Sequence, residues 1–228
     1  VTRDQFLERG HITALRRPLT LDETANMLQP VCSALSFTHQ NGVYHCDIKP
    51  ANIMLHVDGR VLLTDFGVAR LATEIFSGGT PAYMAPEQVQ ERAVGAHTDI
   101  YALGVTLYES LSGGVMPFRG DSESSQGSTQ SERIKWEHCY IPAPPLNQYN
   151  PNLPAQAVQV VHRALNKDPS QRYATPLTLL DAFEKARSLE KSQHQAEPIA
   201  VATQLQTMPR PVIPPRPAPQ APNRVFVG

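Results

Sequence analysis

The chain reads His45-Cys46-Asp47-Ile48-Lys49-Pro50-Ala51-Asn52, then Thr64-Asp65-Phe66-Gly67, then Gly79-Thr80-Pro81-Ala82-Tyr83-Met84-Ala85-Pro86-Glu87. Between the first two stretches lie two short apolar runs, Ile53 to His56 and Val61 to Thr64, joined by Asp58-Gly59. That dipeptide is a strong hairpin signal, and a hairpin would return Asp65 to the side of Asn52. Upstream, Thr20 with Glu23 forms a capping box that opens a helix. Leu28, Val31, Cys32 and Leu35 share one face of it, and Asn41-Gly42 ends it. Downstream, Thr98 to Leu111 is apolar on every side, with Ile100, Leu103, Val105, Leu107 and Leu111, and predicts a buried central helix. Two amphipathic helices follow, about Pro154 to Asn166 and about Pro176 to Leu189, the second behind the start signal Thr175-Pro176. The Ser-rich stretch Asp121 to Ser131 is predicted to be a surface loop. The fold class expected from these elements is α+β, mainly α-helical, with a small β-hairpin region.

Composition narrows the function. The 228 residues carry 20 Lys plus Arg against 21 Asp plus Glu, a net charge of -1, so there is no broad basic face to follow a phosphate backbone. No nucleic-acid partner is expected. Cys32, Cys46 and Cys139 are far apart, with no C-x-x-C pair, which points to a reducing compartment and no structural zinc site. No apolar run approaches the roughly 20 residues that cross a bilayer. Residues 191–228 carry Lys191, Arg210, Arg216 and Arg224 against Glu197 alone, with eight prolines from Pro198 to Pro222. Such a segment cannot bury a core and is predicted to be a disordered, extended linker, leaving 1–190 as the folded part. Pro211-Val212-Ile213-Pro214 is taken as spacer rather than as a ligand for a proline-recognising module.

Phosphoryl transfer needs a base to orient a hydroxyl, oxygen ligands for a magnesium ion on the triphosphate, and a cation near the phosphoryl group in flight. Asp47, Asn52 with Asp65, and Lys49 supply those parts in order. Residues 1 to about 190 accordingly resemble the C-terminal lobe of a eukaryotic-type protein kinase catalytic domain, and bacterial Ser/Thr kinases most of all. The resemblance implies ATP and Mg2+ as cofactors and a protein substrate phosphorylated on Ser or Thr. It implies Asp47 as catalytic base and Lys49 as the phosphate-contacting lysine of Ser/Thr kinases. Asn52 and Asp65 would hold magnesium, Met54 would floor the adenine pocket, and Thr80 would bridge Asp47 and Lys49. By the same match, Glu87 would pair with Arg172, and Asp99 would anchor the backbone of the catalytic loop. Those two are scaffold.

Two departures from the family pattern stand out. Cys46 occupies the place of an arginine that meets a phosphate on the activation segment, and a thiol cannot make that bidentate pair. Activity is therefore expected not to depend on phosphorylation of Thr73 or Ser77 through this contact. The glycine-rich loop, strand lysine and helix glutamate of the family's N-terminal lobe are not found, and the first lysine is Lys49 itself. With Val1 opening the chain and Met27 its first methionine, a fragment missing its N-terminal lobe, inactive alone, is expected. The resemblance further allows a cytoplasmic catalytic region tethered to a membrane beyond the C-terminus. His45 is expected to be a core histidine that positions the loop, Cys32 a core residue, and Cys46 a small semi-buried residue. Gly78-Gly79 and Gly113-Gly114 are read as turns.

Two rival functions stand beside the kinase reading. A non-catalytic, pseudokinase-like binding module is the alternative: it has no chemical use for Asp47, Lys49, Asn52 and Asp65 together, but the absent strand lysine would suit it. A small-molecule kinase of the aminoglycoside or choline type has no use for the peptide platform Gly79-Thr80-Pro81 to Ala85-Pro86-Glu87.

Overall fold

The computed structural model describes residues 17–56, 58–66, 70–71 and 79–205, with side chains described to Glu190, those of 70 and 71 excepted. The chain divides into two units, Val1–Lys191 and Ser192–Gly228.

In the first unit, helix α1 (Leu21–Gln40) starts where Thr20 and Glu23 close their capping box, the Glu23 backbone N–H donating to Thr20 Oγ1. Arg17 and the Thr20 N–H, which both donate to the Glu23 carboxylate, hold its pKa down to about 2. Leu28, Val31, Cys32 and Leu35 are all buried, as the periodicity predicts. Gly42 closes the helix at φ +72°, a conformation that favours glycine. Strand β1 (Val43–Tyr44) comes next, then β2 (Ile53–Leu55), β3 (Val61–Leu63) and β4 (Arg70–Leu71). β2 and β3 form the antiparallel hairpin expected at Asp58-Gly59, in register Ile53↔Leu63, and β1 pairs with β4. Gly59 takes φ +91° in the turn.

The short helix α2 (Pro86–Val89) leads to α3 (Ala96–Ser112), whose residues from Thr98 to Ser112 are all buried. A helix without a wet face must be surrounded, and α3 packs against both α1 and α5 (Ala155–Ala164). It ends on Gly113 at φ +81°. At Gly104 α3 runs close against α5. A Cβ placed there would stand 2.8 Å from the Cβ of Ala164 and 3.3 Å from its carbonyl carbon.

Two expectations need correction. The Ser-rich loop stops short of Ser131, because Thr129 and Glu132 form a second capping box that opens α4 (Gln130–Tyr140). The cap signal was concealed inside a polar run with little apolar periodicity. The last helix, α6, runs Pro176–Leu205 and so extends past Leu189 into the segment predicted to be extended. No helix breaker intervenes before Pro198, and Lys191-Ser192-Gln193-His194-Gln195-Ala196-Glu197 carries adequate helix propensity. Of the second unit the structure describes helical backbone to Leu205. No helix among the described residues is long and apolar enough to cross a membrane.

Gly104→Ala should destabilise the fold by about 1–3 kcal/mol, since the added methyl forces α3 and α5 apart. Urea unfolding of the two proteins measures this, and an unchanged midpoint would contradict the close approach.

Candidate active site

The site is built outward from a buried carboxylate on α3. Asp99 is fully buried, and its Oδ1 accepts from the Cys46 N–H at 2.7 Å while Oδ2 accepts from the His45 N–H at 2.9 Å. His39, in the last turn of α1, places Nε2 2.8 Å from the same Oδ2. The sequence expectation that Asp99 anchors this loop is met, with His39 as an addition. The grip falls where the backbone is strained, because Cys46 takes φ +64°, a region that residues with a Cβ seldom adopt. His45 is fully buried, with Nε2 2.9 Å from the Thr64 carbonyl, Nδ1 accepting from the Asp47 N–H at 3.3 Å, and its ring 4.6 Å from that of Phe66. It joins the two candidate loops.

Asp47 then emerges into a ring of donors. Lys49 Nζ donates to Asp47 Oδ2 at 2.6 Å and to Thr80 Oγ1 at 2.7 Å, and Thr80 donates to Asp47 Oδ1 from both its N–H and its hydroxyl at 3.0 Å. Burial pushes the Asp47 carboxyl up, but the Lys49 ammonium and the two Thr80 donors outweigh it and hold the group below the ordinary carboxylate range. Asn52 donates from Nδ2 to the Asp47 carbonyl at 2.8 Å, so its amide oxygen is the atom it can offer elsewhere. The hairpin brings the chain back as expected: Thr64 donates from its N–H and its hydroxyl to the Asn52 carbonyl at 2.9 and 3.2 Å. Asp65 follows directly, exposed and at φ +64°. Ile53 is buried in the core, and Met54, the next residue on the strand, is half-buried on the opposite face of the hairpin. Asn52 and Asp65 together offer oxygen donors alone, a set suited to a hard divalent cation that keeps water and phosphate oxygens in its shell. Among the described residues, no group of three or more His, Cys, Asp or Glu side chains forms a protein-only metal cage.

The segment that carries Thr80 is held from below. Tyr83 donates to Glu109 of α3 at 2.7 Å, and burial raises the Glu109 pKa. His138 of α4 places Nε2 3.1 Å from the Ala82 carbonyl, with burial and the Lys167 ammonium drawing its imidazole down to about 3, so that it donates from a neutral ring. Glu87 meets Arg172 through two bonds of 2.8 and 3.0 Å with both side chains out of water, as expected. Arg172 spends its remaining donors on the carbonyls of Asn166, His97 and Lys167. Removing one partner of such a pair commonly costs about 3–5 kcal/mol. His39, Tyr83, Gln88 and His138 were not singled out from the sequence. Each is an ordinary polar residue until the fold shows what it faces. Gly67, Thr73, Ser77 and Gly78 lie outside the described residues.

The family model described as "Protein kinase domain" matches residues 5–183. Serine/threonine-protein kinase PknB of Mycobacterium tuberculosis is 36% identical over 166 residues, 69% of this chain and 25% of that protein. Serine/threonine-protein kinase PrkC of Bacillus subtilis is 35% identical over 173 residues, 73% of this chain and 25% of that protein. A probable serine/threonine-protein kinase PknB of Corynebacterium glutamicum is 36% identical over 187 residues, 74% and 28%. The chain spans about a quarter of the length of these curated relatives.

Thr80→Val removes the hydroxyl that donates to Asp47 and accepts from Lys49, so the Asp47 pKa should rise toward its ordinary value. Because that pKa is depressed in the folded protein, ionised Asp47 stabilises the fold above the ordinary carboxylate range, and this is lost as pH falls through the depressed value. The variant should therefore be less stable than the parent at pH 7, with the gap closing in acid. Carboxylate NMR titration of Asp47 in both proteins checks the shift, and coincident curves would contradict it.

Proposed function

The chain belongs to the protein kinase domain family, and from that premise we propose that it is the catalytic part of a serine/threonine protein kinase. The observation that carries this reading is the clasp on Asp47, in which Lys49 and Thr80 hold one carboxylate between them. A structural aspartate has no need of an ammonium and a hydroxyl that also bond each other. A carboxylate held below its ordinary range is a weak base, so its task is to align the substrate hydroxyl by accepting its hydrogen bond. The hydroxyl oxygen bonds to the γ-phosphorus of ATP as the bond from phosphorus to the leaving oxygen breaks, and the hydroxyl proton departs late, toward Asp47. Lys49 lies beside the transferring group and balances its charge. Asn52 and Asp65 would hold Mg2+, which supplies neutralisation of the triphosphate, and Met54 would lie under the adenine.

The described residues up to Glu190 then make up the C-terminal lobe, the lower wall of the nucleotide cleft, and the N-terminal lobe supplies the upper wall. Residues 1–190 belong to the catalytic region, and the Pro-rich stretch that ends the chain is a linker. By kinship the catalytic region is cytoplasmic, and the linker leads toward a membrane-spanning helix in a longer protein.

Joined to the glycine-rich-loop lobe of a bacterial relative, the chain should phosphorylate a generic basic protein with Mg-ATP. Asp47→Asn and Asp65→Asn should each lower turnover by at least about a hundredfold. Equal phosphate incorporation by the parent and both variants would replace the kinase with a binding module. In the same assay Thr73→Ala with Ser77→Ala should retain turnover within about threefold, since Cys46 offers no charge to pair with a phosphate. Abolished turnover would show that the activation segment is held by another phosphate contact.

A further inference from the structure

Cys46 sits one peptide before Asp47, in a left-handed conformation that a cysteine does not adopt without outside support. Its N–H is held by Asp99 at 2.7 Å. Its carbonyl is held from the other side by Gln88, whose Nε2 donates to Cys46 O at 2.9 Å. Gln88 lies in α2, is 1% exposed, and turns its other amide atom back on its own segment, Oε1 accepting from the Ala85 N–H at 2.9 Å. One side-chain amide thus joins the backbone of the substrate platform to the backbone of the catalytic loop. Gly79 closes over the same spot: at φ +113°, a Cβ there would stand 3.4 Å from Cys46 O and 3.6 Å from Gln88 Nε2.

The relation to Asp47 is direct. The platform already reaches the Asp47 carboxylate through Thr80. With Gln88 on the preceding peptide, the platform holds both the side chain and the backbone that aims it. In kinases with arginine next to the catalytic aspartate, a phosphate on the activation segment can make that connection; here the residue is Cys46. We propose that Gln88 is a positioning residue for Asp47, fixing the left-handed Cys46 peptide and coupling the set of the catalytic loop to the substrate platform without a phosphate. The role in turnover rests on the kinase reading above, whereas the hold on the Cys46 peptide does not.

Gln88→Met keeps the length and removes the hydrogen bonds to Cys46 and Ala85, while Gln88→Glu keeps the acceptor for Ala85 and removes the donor to Cys46. The three buried thiols, Cys32, Cys46 and Cys139, make a built-in reporter. In the full chain, labelling by iodoacetamide, followed peptide by peptide by mass spectrometry, should speed up at Cys46 by at least about tenfold in both variants, with Cys32 unchanged. In the lobe-complemented protein, kcat should fall about 10- to 100-fold while KM for ATP stays within twofold, because loop displacement misaligns the hydroxyl without touching the nucleotide. Acceleration at all three cysteines alike would make Gln88 a general packing residue and overturn the proposal. So would an unchanged Cys46 rate, or a faster Cys46 with unchanged kcat. A parent that transfers no phosphate would overturn the kinase reading, and the hold on the Cys46 peptide would then be decided by the thiol rates alone.

Discussion

A single ionisable group inside the first unit sets the geometry on which the rest of the site depends. Asp99 is buried on a helix that is itself buried, where an unpartnered carboxylate would be severely destabilising. It is made tolerable by the backbone N–H groups of His45 and Cys46, in the loop that carries Asp47, and by His39. The dependence is mutual. The loop supplies the donors that let Asp99 stay in the core, and Asp99 supplies the force that keeps Cys46 in a conformation it would otherwise leave. Asp47, Lys49 and Asn52 inherit their positions from that exchange, since they are the residues that the loop carries next.

The platform from Gly79 to Gln88 has no regular structure long enough to be stiff by itself. It is rigidified by side chains from elsewhere: Glu109 takes the Tyr83 hydroxyl, His138 takes the Ala82 carbonyl, and Arg172 takes Glu87. Those anchors come from α3, α4 and the turn before α6, three parts of the chain far apart in sequence. A loop pinned at several separate points can be short of hydrogen-bonded ladder and still hold a hydroxyl such as that of Thr80 in register with a carboxylate.

Much of the fold was legible because it is written in local signals. The capping box at Thr20, the Asp58-Gly59 turn and the all-apolar face count of α3 each depend on neighbours a few residues apart. The candidate site residues were picked out by a different signal, the order of three motifs along the chain, and the structure brings Asp47, Lys49 and Thr80 together while the hairpin sets Asp65 beyond the Thr64–Asn52 link. What escaped was non-local or masked by composition. His39 meets Asp99 from 60 positions away, and Gln88 meets Cys46 from 42, so no window of sequence contains either pair. α4 escaped because Thr129 and Glu132 lie in a polar stretch, where a cap looks like one more loop residue. The length of α6 is hidden by the prolines of 191–228 taken together, because residues 191–197 themselves carry none.

The backbone at Asp65 carries an evolutionary consequence. At φ +64° the position admits glycine freely, and among residues with a side chain it favours aspartate and asparagine. Asparagine is a single base change away from either aspartate codon, fits the same backbone, and has no charge to keep solvated at this exposed site. Folding therefore exerts almost no pressure to keep the carboxylate. On the kinase reading proposed above, an Asp65→Asn exchange would thus remove the metal-binding charge and leave the backbone of the domain as it is.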